Sequence, residues 1–407
     1  MKLNKNTVFE LASVSKQFTA LAIAKLAEER MISVEDDIRK YFPELPLYKT
    51  PIKIKHLLNH TSGIVESGYP LALAGFEKDP IDIDRVLNFL KNTPQQYTTP
   101  GSEFDYSNDG YTLLGELVHR VTKQSFRSWM KQNVFDPLEM NSTLIRDSPE
   151  IVIPNRAISY DPNEEYNNIK RQSFDFYAPG GCSVRSSISD LLKWVNYLNK
   201  GYHSQESLFK TINQLDEFNN GNPMEYAYGN FVSEFKGLKR ISHLGLSAGF
   251  RTSLSRFPAE DLAVILLGND GEFRNYYLSR KIYEIYFKEK LKYDYKKFEG
   301  IKIASPTKDV KQNKEKIEVN LKDYEGTYFS SQLHSSYTFK VIKDTLFALS
   351  SAYKRIPVIA TAKDTFETDK DFMETIKFKR DYNYKISDCD IYDDDDGRAI
   401  TFRKIRL

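Results

Sequence analysis

Residues 13–30, the stretch SVSKQFTALAIAKLAEER, constrain the fold more than any other part of the chain. Val14, Phe18, Leu21, Ala22 and Leu26 recur at helical spacing, and Ile23 and Ala24 carry the apolar surface almost all round. Such a helix is expected deep inside the molecule. With 407 residues the chain exceeds what one typical core supports, so two or three structural units are expected, and 40% apolar and 13% aromatic residues suffice to fill them.

Residues 31–200 read as a mostly helical lobe, with helical patterns at 53–59, 82–91, 110–121, 125–134 and 188–199. The period then changes to two. RISHLGLS (240–247), GFRTSLSRF (249–257) and LAVILLGND (262–270) read as three strands, antiparallel because their connections are short, including Pro258-Ala259-Glu260-Asp261. A helical pattern at 274–290 follows, then a lysine-rich stretch that reads as a linker. The rest alternates polar with apolar residues, and SYTFKVIKDTLFALS (336–350) is predicted to be a hairpin turning at Lys343-Asp344. The expected units are residues 1–295, a linker at 296–318 and a small all-β domain at 319–407.

A net charge of +2 gives no field for nucleic acid, so a small-molecule or peptide substrate is the expected partner. No apolar run is long enough to span a bilayer, and Glu10, Lys16 and Lys25 interrupt the one signal-peptide-like start. Cys182 and Cys389 fall in different expected domains, so no disulfide framework is read. YDDDDG (392–397) reads as a solvated turn, with a calcium site as the alternative.

Three constellations carry chemistry. Ser13-Val14-Ser15-Lys16 places a hydroxyl and an amine on one helical face, but Ser-x-x-Lys also occurs at Ser128, Ser207, Ser233, Ser305 and Ser351. Only Ser13 opens a buried helix, where the helix N-terminus favours developing negative charge. An apolar site close to other cations would lower the Lys16 pKa and make the amine a base. The plainer alternative makes Ser13 an N-cap. Tyr106-Ser107-Asn108 precedes the next helix and can project a phenol and a carboxamide in one direction; the alternative is a cap turn made by Asn108 and Asp109. His243-Leu244-Gly245 lies on a strand, where glycine signals close approach of a backbone or ligand, or else a bulge.

Taken in this order, the three resemble the boxes of the serine β-lactamase and penicillin-binding-protein family, closest to its class C β-lactamase, esterase and D-aminopeptidase branch. IKIKHLLNHTSGI (52–64), YSNDGYTLLGELVHRVT (106–122), VFDPLEM (134–140) and APGGCSVRSSISDLLKW (178–194) are similar to that branch as well. The resemblance implies an α+β fold, an antiparallel sheet flanked by helices with a mostly helical lobe, and the C-terminal part resembles an appended lipocalin-like β domain. It implies Ser13 as nucleophile, Lys16 and Tyr106 as the proton-transfer pair and Asn108 as a substrate-amide contact. His243 and Gly245 would wall the cleft, and the backbone N–H groups of Ser13 and Leu246 would form the oxyanion hole. No cofactor and no metal is expected, His56 and His60 belonging to the leucine-rich signature rather than to a metal site.

Leu244 stands where β-lactamases and transpeptidases favour a hydroxyl residue after a lysine, and it cannot donate to a substrate carboxylate. Esters, D-amino-acid amides or short peptides are therefore the expected substrates, with β-lactam or D-Ala-D-Ala hydrolysis and a non-catalytic binding or regulatory role as alternatives. Family members begin with a helix and a strand pair, whereas twelve residues precede Ser13 here. An amino-terminally incomplete chain is expected, with a bare edge on LAVILLGND where the first absent strand would pair. A missing part of that kind could carry a secretion signal, and full-length relatives imply an extracytoplasmic or periplasmic location.

Overall fold

The structure, a computed structural model, describes residues 2–76, 80–163, 168–173, 176–288, 319–392 and 398–405. The linker read at 296–318 and the aspartates of YDDDDG lie outside the described residues. The chain divides into two compact units, Met1–Glu66 with Pro80–Leu291, and Ser67–Asp79 with Lys292–Leu407. No helix of the described residues is long and apolar enough to cross a membrane.

In the first unit a 3-10 turn, Ala12–Ser15, leads into helix α1, Lys16–Glu28. Every α1 residue from Lys16 to Ala24 is buried, as its apolar circumference requires. Each of its buried polar side chains makes at least one hydrogen bond, which offsets much of the cost of burying them, although Gln17 Nε2 has no partner among the described residues. Trp194 Nε1 donates to Gln17 Oε1 at 2.6 Å, and Thr19 Oγ1 donates to the Gly180 carbonyl at 2.7 Å. Phe18 stacks on Trp194 with ring centroids 4.1 Å apart.

Helix α2, Asn108–Thr122, starts at the Tyr-Ser-Asn stretch and is capped by Ser107, whose hydroxyl accepts the Gly110 N–H at 2.9 Å. The cap is therefore neither Asn108 nor Asp109. Ser107 is extended, with φ −128° and ψ 120°.

The central sheet consists of β1 (Tyr226–Ala227), β2 (Asn230–Phe235), β3 (Leu238–Ser247), β4 (Phe250–Phe257) and β5 (Leu262–Gly268), in the order β5-β4-β3-β2-β1. All neighbours are antiparallel. The β2 ladder covers β3 only as far as Ser242, so among the described residues His243–Ser247 has a strand partner on the β4 side alone. Strand β5 stands at the sheet edge, with Leu262, Ala263, Ile265, Leu266 and Leu267 only half-buried. The bare edge expected from the sequence is present among the described residues. Helix α3, Asn275–Tyr286, packs Tyr283 edge-on against Phe235 and Phe257.

A second small sheet joins Phe9–Glu10, Val184–Ser186 and Leu144–Ile145. Arg185 and Glu10 form a buried ion pair within it at 2.8 Å, and Ser247 Oγ donates to the other Glu10 oxygen at 2.6 Å. That carboxylate fastens the end of β3 to the segment leading into Ser13. Gly245 completes the junction: a Cβ there would lie 2.3 Å from the Leu11 carbonyl and 2.2 Å from Thr252 Oγ1. The glycine is needed for backbone approach, one of the two readings its strand position allowed.

The second unit is a closed antiparallel barrel of eight strands: β6 (Gly326–Ser330), β7 (Ser335–Ile342), β8 (Thr345–Leu349), β9 (Ile356–Ala362), β10 (Thr365–Glu367), β11 (Thr375–Arg380), β12 (Ile386–Tyr392) and β13 (Ala399–Lys404). The β7–β8 hairpin turns at Lys343 and Asp344, both at positive φ, as an I′-type turn requires. Its interior is filled by side chains, among them Tyr328, Tyr337, Phe339, Phe378 and Phe402. Leu73 joins this core fully buried, and the Tyr337 and Tyr353 hydroxyls donate to the carbonyls of Leu73 and Ala72 at 2.8 and 2.7 Å. The segment that follows Glu66 is thus a structural part of the barrel.

Candidate active site

Ser13 lies in the 3-10 turn ahead of α1, where its hydroxyl caps no helix and faces Lys16 instead. Lys16 Nζ donates to Ser13 Oγ at 3.2 Å, to Asn108 Oδ1 at 2.8 Å and to the Gly181 carbonyl at 3.3 Å. Ser15 turns away and accepts the Val184 N–H at 3.1 Å. The first and second sequence constellations therefore meet at one ammonium group.

Tyr106 covers the same centre. Lys16 Nζ is 4.7 Å from the centroid of its ring, and its buried hydroxyl has no partner at hydrogen-bonding geometry among the described residues. The ring is braced by His60, whose imidazole centroid lies 4.1 Å away. His60 Nδ1 accepts the Ser107 N–H at 3.0 Å, and His56 Nδ1 accepts the Lys53 N–H at 3.2 Å. Each of these histidines is a backbone acceptor.

The third constellation closes the other side. His243 is buried, donates from Nδ1 to the Leu244 carbonyl at 2.6 Å and accepts at Nε2 from the Tyr226 hydroxyl at 3.0 Å. Burial and the nearby Lys16 charge push its pKa down to about 3, so it is neutral. Leu246 is exposed on the stretch of β3 that, among the described residues, is paired on the β4 side alone. A cavity of about 520 Å³ is lined by Ser13, Tyr106, Phe231, His243, Leu244 and Leu246, among others. A neighbouring one of about 510 Å³ shares Phe231 and Glu225 with it and adds Glu103, Phe104 and Phe218.

The electrostatics differ from the sequence expectation for Lys16. Burial does lower its pKa, but Tyr106, Cys182 and Glu66 surround it, and the net shift is upward. Burial likewise raises the Tyr106 phenol, against the pull of Lys16.

Several residues at this centre carried no role in the sequence reading. Cys182 Sγ lies 3.9 Å from both Ser13 Oγ and Asn108 Oδ1. Gly181 supplies a carbonyl to Lys16, and the Tyr226 hydroxyl donates to His243 Nε2 once the Leu244 carbonyl has set the tautomer. Glu66 accepts from Ser107 and Asp109 behind the Tyr-Ser-Asn turn. The only signal for Gly181 and Cys182 was their place within the stretch 178–194.

An antiparallel sheet flanked by helices, with a serine and a lysine one turn apart at the head of a buried helix and a Tyr-Ser-Asn turn opposite, defines the serine β-lactamase and penicillin-binding-protein class. The chain belongs to the β-lactamase family, whose model matches residues 1–284. It is 30% identical over 294 residues to penicillin-binding protein 4* of Bacillus subtilis, a match covering 67% of this chain and 63% of that protein. Protein flp of Staphylococcus aureus is 27% identical over 278 residues, covering 66% of this chain and 54% of the relative. The chain thus matches less than two thirds of the length of these curated relatives. Among solved structures, the octameric penicillin-binding protein homologue from Pyrococcus abyssi covers 98% of this chain and 89% of its own, at TM-score 0.62 and 23% identity. A D-amino acid amidase from Ochrobactrum anthropi covers 71% of this chain and 88% of its own, at TM-score 0.59 and 19% identity. At such identities these likenesses bear on the fold.

Proposed function

We propose that the chain is a serine hydrolase that works by acyl transfer through Ser13. The observation that carries this reading is the single ammonium of Lys16 in contact with Ser13 Oγ and Asn108 Oδ1, under the Tyr106 ring. Ser13 Oγ attacks the substrate carbonyl and forms a Ser13 ester, its proton passing to the Lys16–Tyr106 pair. Because Lys16 is protonated at rest, the pair must first give up one proton to solvent. The pair then returns a proton to the leaving group, and water hydrolyses the ester. Asn108 orients the substrate amide or ester, and the N–H groups of Ser13 and Leu246 receive the oxyanion.

Neutral or amine-bearing substrates fit this reading better than carboxylate-bearing ones. His243 is uncharged and Leu244 offers no side-chain donor, while Glu103 and Glu225 border the adjoining cavity. Alkyl and aryl esters, D-amino-acid amides and short peptides with a free amine are therefore the substrates we assign, and the amidase among the structural neighbours lends this support. The test is turnover of p-nitrophenyl butyrate, D-phenylalanine amide, a D-Ala-D-Ala peptide and nitrocefin. Ester or amide turnover that is lost in Ser13→Ala agrees with the reading; preferential nitrocefin or D-Ala-D-Ala hydrolysis contradicts the substrate assignment.

A further inference from the structure

Glu66 is half-buried behind the Tyr106-Ser107-Asn108 turn and lies outside all three sequence constellations. Its Oε1 accepts the Ser107 hydroxyl at 2.5 Å and the Asp109 N–H at 3.0 Å, and the Asn108 N–H is also directed at the carboxylate. Three consecutive residues hang from one carboxylate. We propose that Glu66 is the positioning residue of this site, setting where Tyr106 and Asn108 stand by holding the backbone between them.

The chemistry of the turn requires such a group. The first N–H groups of a helix have no partner within it and carry the positive end of the helix dipole. Ser107 satisfies one of them, that of Gly110, with its oxygen. Its own proton then goes to Glu66, so the side chain between Tyr106 and Asn108 is turned away from the reacting centre. Its N–H is held by His60. With residue 107 pinned at both ends, the extended backbone throws residues 106 and 108 to the opposite side, where both meet Lys16. A carboxylate suits this position because it is acceptor-only and takes several donors at once. Lys16 is the cation facing it.

Glu66 touches no reacting atom in this scheme. Its effect reaches catalysis through the placement of Tyr106 and Asn108, and a displacement of about 1 Å at such groups costs on the order of 10²-fold in rate. The catalytic consequence rests on the acyl-transfer reading; the positioning itself does not.

The test compares Glu66→Ala and Glu66→Gln with the wild-type chain by two measurements. Amide hydrogen exchange reads the hold directly: Asn108 and Asp109 lose protection in Glu66→Ala, while the β3–β4 amides keep theirs and report an intact fold. Steady-state hydrolysis of p-nitrophenyl butyrate reads the consequence: kcat falls about 10²-fold in Glu66→Ala with KM little changed. Glu66→Gln recovers most of the loss, because its side-chain oxygen still accepts from Ser107 and Asp109. Unchanged protection at residues 108 and 109 in Glu66→Ala overturns the proposal, as does a kcat per folded molecule equal to wild type. If wild type and Ser13→Ala are equally inert, the acyl-transfer reading fails and the exchange measurement alone decides the role of Glu66.

Discussion

Lys16 Nζ donates to Asn108 Oδ1 at 2.8 Å, a closer contact than its 3.2 Å to Ser13 Oγ three residues away. One ammonium thereby locks the head of α1 to the head of α2 and points at the hydroxyl between them. Lys16→Ala removes the proton-transfer partner and leaves Asn108 Oδ1 with only the weak Cys182 thiol donor, 3.9 Å away. Hydrolysis of p-nitrophenyl butyrate should fall by about 10²- to 10⁴-fold in kcat/KM. Urea denaturation should show a loss of roughly 1–3 kcal/mol for the under-satisfied carboxamide.

The pH dependence of rate follows from the upward shifts of Lys16 and Tyr106. A base that must lose a proton from a group above its ordinary value works better as pH rises. Ordinary lysine and tyrosine values lie near 10.4 and 10, so kcat/KM should still be climbing at pH ~9. His60 and His243 are held neutral by burial, so no break belongs near the ordinary histidine value of about 6.5. A stopped-flow pH profile with a plateau beginning near neutrality would contradict the assignment of Lys16 and Tyr106.

Stability should weaken on the acid side for a separate reason. His56 is pushed down to about 4 and His243 to about 3, in both cases chiefly by burial. Below about pH 6.5 the unfolded chain binds protons at these positions and the folded chain does not, so folding loses free energy as pH falls. Each should cost roughly 2 kcal/mol between neutrality and pH 5. Thermal melts at pH 8, 6.5 and 5 give the wild-type slope, and His243→Gln should flatten it; a melting temperature that rises on acidification would count against this.

Gly245→Ala places a methyl group against the Leu11 carbonyl and Thr252 Oγ1, where the backbone cannot yield without moving the turn that carries Ser13. Overpacking of this kind costs about 1–3 kcal/mol. The displacement should also slow acylation of the folded fraction, measurable as a labelling rate corrected for folded protein. Wild-type stability and labelling in Gly245→Ala would mean that the close approach of β3 to Leu11 is not needed.

Much of this arrangement was legible because period and polarity are local. The enclosed helix from Lys16, the three strands after Leu238 and the hairpin at Lys343-Asp344 each follow from spacing within a dozen residues. What escaped depends on tertiary neighbours. Ser107, Asn108 and Asp109 are all good helix caps, and only the extended conformation of Ser107 decides among them. The direction of the Lys16 shift is set by Tyr106, Cys182 and Glu66, none of them near it in sequence. Residues 68–76 carry no strand pattern, yet Leu73 belongs to the barrel core, because a buried leucine there fills space that the barrel strands leave.

The central claim is that Ser13 is the residue that becomes acylated. It is tested most directly by reacting the purified chain with a fluorophosphonate probe and locating the adduct by peptide mass spectrometry. One adduct per chain on the peptide containing Ser13, absent in Ser13→Ala and much slowed in Lys16→Ala, is the expected result. Labelling that survives Ser13→Ala, or an adduct on a neighbouring nucleophile such as Cys182, 3.9 Å from Ser13 Oγ, would contradict it.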